Sequence, residues 1–194
     1  MDKEMILLVS RFAEYLRMRE QQLRCFHKYE LQVEGWFKGE MLCFLDQEKQ
    51  AGRLPDFKLE KKLYVHVGDK RKRISVDIAL QFESGSRWVE LKHWHIGTQN
   101  NQYYGSDWYF KTPAKHCNSC VECGVEQLIK IPENGDKFML VLLTKNPASK
   151  EWTAGVEAFN SSFPRLAVHS LTNPEDYPDC FFLGLLHVLE GGQN

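Results

Sequence analysis

The alternation of apolar and polar positions divides the chain into a helical first quarter and a strand-rich middle. Over residues 4–24, Ile6, Leu7, Phe12, Tyr15, Leu16 and Leu23 recur at helical spacing among charged positions, which predicts a helix. Residues 28–50 predict a second helix or a continuation of the first, because Val33, Trp36, Phe37, Met41 and Phe44 form one apolar arc on a helical wheel. Gly52 and Pro55 end it. Residues 59–67 are rich in β-formers and lead to a turn signal at Gly68-Asp69-Lys70. From Arg73 to Phe82 the period is two. Ile74, Val76, Ile78, Leu80 and Phe82 share one face, and Ser75, Asp77, Ala79 and Gln81 share the other. A tight turn at Ser84-Gly85-Ser86 precedes a third strand, Arg87 to Trp94. There Val89, Leu91 and His93 lie opposite Trp88, Glu90, Lys92 and Trp94. Three strands joined by short turns predict an antiparallel meander.

Residues 95–116 lack a period and predict a long loop. A helix follows over 121–131, broken by Pro132-Glu133-Asn134-Gly135, and then a continuous apolar run over 138–144 that suits a buried strand. The order is α-β-β-β-α-β, an α/β fold with a mixed central sheet flanked by helices. Beyond residue 150 the segments 166–171 and 181–189 are short and apolar, and the pattern leaves strand and helix open. The chain reads as a single domain over 1–194, with a core of about 28–145 and two terminal additions.

Composition narrows the function classes. A chain of 194 residues, 43% hydrophobic, can bury a core without cross-links. The formal net charge of -1 excludes a bulk polycation, so contact with nucleic acid would need a local basic face. No apolar run is long enough to span a bilayer, and Met5–Val9 is too short and too soon followed by Arg11 and Glu14 to be a secretory leader. The expectation is a cytoplasmic protein without a membrane partner, its six cysteines reduced.

The chemistry gathers around Asp77. Thirteen residues later, across a tight turn, stand Glu90-Leu91-Lys92. Two carboxylates carried by a hairpin can converge on one hard divalent cation, which takes its remaining ligands from water and phosphate. Lys92 lies two residues from Glu90 and points the same way, where its ammonium can orient water or neutralise a phosphate. The main-chain carbonyl of Leu91 supplies a further oxygen.

This Asp…Glu-x-Lys pattern, on the second and third strands of a meander after a helix, resembles the PD-(D/E)xK nuclease superfamily. The resemblance covers about residues 28–145. Val76 stands where proline gives that family its name. The resemblance implies a restriction-endonuclease-like fold and hydrolysis of phosphodiester bonds, in DNA first of all, with Mg²⁺ or Mn²⁺ as cofactor. It implies Asp77, Glu90 and the Leu91 carbonyl as metal ligands and Lys92 as the catalytic cation. It also implies a glutamate on the first core helix. Glu40, inside the apolar arc, is the candidate, followed by Glu34 and Glu60. The family allows a homodimer. The alternative function is a non-catalytic nucleic-acid-binding or interaction module on the same fold.

Other signals are weaker. Lys70-Arg71-Lys72-Arg73 is a basic run at a hairpin tip, read as phosphate contacts through Arg71, Lys72 and Arg73 or as a solvated turn. The segment from His93 to Phe110 mixes aromatics with Gln99, Asn100, Asn101 and Gln102. Trp94 and Gln99 are its candidates for touching substrate. His116-Cys117, Cys120 and Cys123 have metal-like spacing, with Cys25 upstream. Their place between the third strand and the next helix speaks against an iron–sulfur cluster or zinc site, and free thiols are the preferred reading. His66 and His93 read as core or supporting residues.

Overall fold

The computed structural model describes residues 2–31, 33–67, 70–99 and 102–189, and excludes the side chains of 65–67, 70–72, 98, 99 and 102. Three helices come first: α1 (Lys3–Arg17), α2 (Glu20–Lys28) and α3 (Glu34–Gln50). The single helix expected over 4–24 is therefore two. Between Leu16 and Leu23 the only apolar residue is Met18, which is exposed, so nothing binds a continuous helix to the core there. Asp2 caps α1 by accepting the Met5 amide. α3 begins later than expected, after Glu30 has taken a positive φ of 52°. It ends at Gly52, whose φ of +70° suits the residue that follows a helix C-cap.

The meander follows as β1 (Asp56–Val67), β2 (Lys70–Phe82) and β3 (Gly85–Trp94). The region expected to be a loop holds a small hairpin, β4 (Gly97–Gln99) with β5 (Gln102–Tyr104), and a short helix, α4 (Ser106–Lys111). Next come α5 (Val121–Ile129), β6 (Asp136–Leu143), α6 (Ser149–Ser162), β7 (Val168–Ser170) and β8 (Phe182–Val188). The main sheet has the order β1-β2-β3-β6-β8-β7. β3 and β6 are parallel and every other neighbouring pair is antiparallel. The fold is mixed α/β.

Two apolar clusters cover the two faces of this sheet. Phe12, Leu16, Phe37 and Leu45 of the first helices pack on Ile78, Leu80, Val89, Leu91 and Leu140. On the other face Phe110, Val121, Val125 and Trp152 pack on Trp88, Trp94, Met139 and Val141. Strand β6 is buried on both faces, as a continuous apolar run requires. No helix among the described residues is long and apolar enough to cross a membrane.

One expectation about the sheet is corrected. The apolar positions of β2 do not keep one face. Ile78, Leu80 and Phe82 join the first cluster, whereas Val76 belongs to the second and Ile74 packs against it. β1 switches as well, with Phe57 on the first cluster and Leu63 in the second. The register between the strands stays constant, but the rung Glu60–Asp77 is missing, and Glu60 has a φ of +45°. A left-handed residue in β1 opposite Asp77 turns both strands over together, so no residue is inserted.

Candidate active site

Asp77 sits where two ladders are interrupted. It lacks a rung to β1, and the β2–β3 ladder runs from Phe82↔Gly85 only as far as Ile78↔Val89. Past that point the strands part, and the Asp77 carboxylate spans the gap. Its Oδ2 accepts the main-chain amide of Leu91 at 2.9 Å. A side chain thus replaces the main-chain acceptor that a continued ladder would supply. The amide and carbonyl of one extended residue share an edge, so the Leu91 carbonyl faces the same gap.

Glu90 and Lys92, on the α5 side of β3, form a buried ion pair with Nζ–Oε1 at 2.7 Å. Their side chains are only 6% and 11% exposed. α5 closes over them through a glycine. A Cβ at Gly124 would lie 2.9 Å from the Met139 sulfur and 3.8 Å from Cε of Lys92. From α3, Lys38 reaches Oδ1 of Asp77 at 2.9 Å and Glu34 at 3.2 Å.

The electrostatics of this group have one direction. Burial raises the pKa of Glu90, Lys92 pulls it down, and the charge of Asp77 adds to the rise. For Lys92 burial acts downward, but Glu90, Asp77 and Glu34 outweigh it and the net shift is upward. Lys38 behaves likewise, with Asp77 and Glu34 outweighing burial. The two partners of the buried pair are pulled in different senses: desolvation wins at Glu90, ion pairing at Lys92. Acidic neighbours thus hold the proton on Lys92, whereas the rise at Glu90 is chiefly the cost of burying its charge.

The donor types suit a hard divalent cation: the Asp77 carboxylate and the Leu91 carbonyl at the gap, with the Glu90 carboxylate close enough for its charge to be felt. Among the described residues no group of three or more His, Cys, Asp or Glu side chains is arranged to hold a metal ion. Any cation here would therefore rest on Asp77, Glu90, main-chain oxygen, water and its substrate.

The structure brings together Asp77, Glu90, Leu91 and Lys92, and adds Lys38 and Glu34. It does not bring Glu40. That carboxylate turns toward α1, accepting from the Tyr15 hydroxyl at 2.7 Å and from Arg19 at 3.3 Å. Those bonds answer the need for a partner that its place in the apolar arc creates. Glu60 is exposed on β1. The sign of Lys38 was present in the sequence as its four-residue spacing from Glu34, the separation at which helix side chains meet.

Trp94 is corrected as a substrate contact. It has no exposed surface, its indole N–H donates to the Ser119 carbonyl at 2.6 Å, and its ring stacks on Tyr109 at 4.6 Å. Arg73 is exposed on β2, while the side chains of Arg71, Lys72, Gln99 and His66 lie outside the described residues. Cys117, Cys120 and Cys123 form no disulfide. Cys120 caps α5 by accepting the Cys123 amide, and burial pushes its thiol up to about 11. His93 is buried on β3, and burial with His95 nearby lowers its pKa to about 4.

A surface cavity of about 900 Å³ lies away from this group, around Arg87, Asn134, Asp136 and His187. Arg87 is already paired there with Asp2, Glu4 and Asp136. The ionic chemistry at Asp77 marks a candidate site better than that cavity does. Compared with known proteins, the chain matches no family model, no curated protein and no solved structure.

Proposed function

We propose that this protein is a metal-dependent nuclease of the PD-(D/E)xK kind, hydrolysing phosphodiester bonds in DNA. The observation that carries the reading is the carboxylate of Asp77 held on the Leu91 amide at the parting of β2 and β3, beside the buried Glu90–Lys92 pair. The order α3-β1-β2-β3 followed by α5-β6, with β6 parallel to β3, supports a restriction-endonuclease-like core. The acidic neighbours that keep Lys92 protonated, Glu90, Asp77 and Glu34, support a catalytic cation there.

In this reading Asp77, Glu90 and the Leu91 carbonyl are the groups that would hold Mg²⁺ or Mn²⁺. When bound, the ion supplies polarisation of the scissile phosphate and a more acidic water. Lys92 keeps its proton at neutral pH and presents it to the attacking water or to a phosphoryl oxygen. Glu90 fixes the Lys92 ammonium, and the Leu91 amide fixes the Asp77 carboxylate. Glu34 acts through Lys38.

A cleavage assay on supercoiled, linear and single-stranded DNA and on RNA, with Mg²⁺, Mn²⁺ or EDTA, tests this. The expected result is cleavage of DNA that EDTA stops and that Asp77→Asn or Lys92→Ala reduces at least about 100-fold, the scale of a lost electrostatic stabiliser. Circular dichroism should be unchanged. Asp77→Asn protein that cuts as well as wild type would overturn the reading. One observation favours a second reading, a binding module without catalysis: Lys38 already neutralises Asp77 from within. Nucleic-acid binding with no metal-dependent cleavage of any substrate would establish it.

A further inference from the structure

The β1–β2 hairpin outruns the rest of the sheet. β2 pairs with β3 only from Ile78 to Phe82, yet its ladder with β1 continues from Lys61↔Val76 to Val67↔Lys70. Those seven rungs form a two-stranded ribbon. At about 3.3 Å per residue it extends roughly 20 Å, starting at Asp77.

The two faces of the ribbon differ. Because both strands turn over at Glu60 and Asp77, Leu63, Ile74 and Val76 pack into the second cluster. Lys61 joins that side, its ammonium 4.3 Å from the centre of the Trp88 ring. The opposite face carries Lys62, Arg73 and Ser75, all exposed, with Tyr64 54% exposed. Toward the tip Arg71 is in phase with Arg73 and Ser75, while Lys70 and Lys72 are in phase with Ile74 and Val76. Residues 61–73 hold six Lys and Arg against one acid, a net +5, so the remainder of a chain whose total is -1 carries -6. The near-neutral total is a sum of two segregated parts.

We propose that this ribbon is a nucleic-acid-binding arm that lies in the major groove of duplex DNA. The inference rests on the nuclease reading and gives it a substrate class. A two-stranded β-ribbon has the size that the major groove of B-DNA, about 12 Å wide, admits. The major groove of duplex RNA is deep and narrow and does not. A single strand calls for a row of stacking rings, and the described open face of the ribbon has one, Tyr64. The ribbon starts at Asp77, so a duplex held along its open face carries its phosphates toward Asp77.

The test is fluorescence anisotropy with the full chain in EDTA, where metal-dependent cleavage is absent. The probes are a 30-base-pair DNA duplex, the matching single strand, duplex RNA and anionic vesicles, each across a salt series. The wild type should bind duplex DNA at least about tenfold tighter than the other probes. Replacing Lys70, Arg71, Lys72 and Arg73 together by Ser should weaken duplex binding at least about 100-fold. It should also flatten the plot of log affinity against log salt by about one unit per lost phosphate contact. Lys62→Ser with Arg73→Ser, which leaves the tip intact, should produce a smaller change of the same kind. Lys115→Ser with Lys150→Ser, away from the ribbon, should change neither quantity. Folded ribbon variants that keep wild-type affinity and salt slope would overturn the proposal, as would equal or tighter binding to single strands, RNA or vesicles. Ribbon-dependent duplex binding without cleavage would support the arm and sink the nuclease.

Discussion

Lys38 occupies a position that a bound cation would contest. Its ammonium lies 2.9 Å from Asp77 and 3.2 Å from Glu34, on a side chain 35% exposed. An ion taking Asp77 as ligand must displace this contact, so the two compete for one carboxylate. Lys38→Met is therefore expected to lower severalfold the Mg²⁺ concentration that gives half-maximal cleavage, with the rate at saturating metal unchanged. Metal titrations of wild type and variant decide it. A variant that needs more metal, or loses its saturated rate, assigns Lys38 to the substrate instead. His93 supports a different expectation. Its Nε2 is buried without a hydrogen-bond partner among the described residues, and its pKa falls from 6.5 to about 4. Above pH 6.5 the imidazole is neutral in both folded and unfolded chains. Between 6.5 and 4 the unfolded chain takes a proton that the folded one refuses, so stability falls as the pH falls. By pH 4.5 the loss amounts to roughly 2–3 kcal/mol. Urea unfolding at pH 7.5 and 4.5 should show this extra acid sensitivity in wild type and not in His93→Phe. Equal sensitivity of the two proteins would remove His93 as its source.

At the scale of elements, close packing is set by small residues. Gly155 lies inside α6, where its propensity is poor, and a Cβ there would sit 2.5 Å from the Phe110 ring. Phe110 is fully buried and meets Trp94 and Trp152 edge-on at 5.5 and 5.0 Å, so it has nowhere to move. Gly155→Ala should cost about 1–3 kcal/mol by overpacking and lower the melting temperature by about 2–12 °C. Gly39 in α3 is the contrast, with nothing within 4 Å of a Cβ. Gly39→Ala should raise the melting temperature, as a helix propensity gain alone predicts. Gly155 also explains why α6 was not legible in the sequence. Gly155 and a spread of only Trp152, Val156 and Phe159 gave too weak a period. The meander was legible because turn residues bracket alternating strands. The turnover at Glu60 and Asp77 was not, since period-two reasoning assumes that a strand keeps its faces. Asp77, Glu90 and Lys92 could be found from spacing, but the choice of Glu40 over Glu34 could not. The wheel identifies an acid among apolar neighbours, and the hydroxyl of Tyr15 that satisfies it comes from a different helix.

For the whole molecule, α/β architecture followed from local pattern, while the arrangement of the sheet depended on distant pairs. The parallel alignment of β3 with β6 joins residues about fifty positions apart. No local period encodes such a pair. Net charge was similarly uninformative, because a basic ribbon and an acidic remainder cancel in the total. The placement of β8 has a consequence for biogenesis. Residues 182–188 enter the sheet between β6 and β7, so β6 has its second neighbour only when the end of the described chain arrives. During translation an apolar strand from the middle of the protein waits with one edge open while some forty further residues are made. On a ribosome that interval lasts seconds, long enough for a neighbouring nascent chain to pair with it. Shielding that edge until β8 emerges is thus a task for whatever escorts this polypeptide, and it arises from strand order alone.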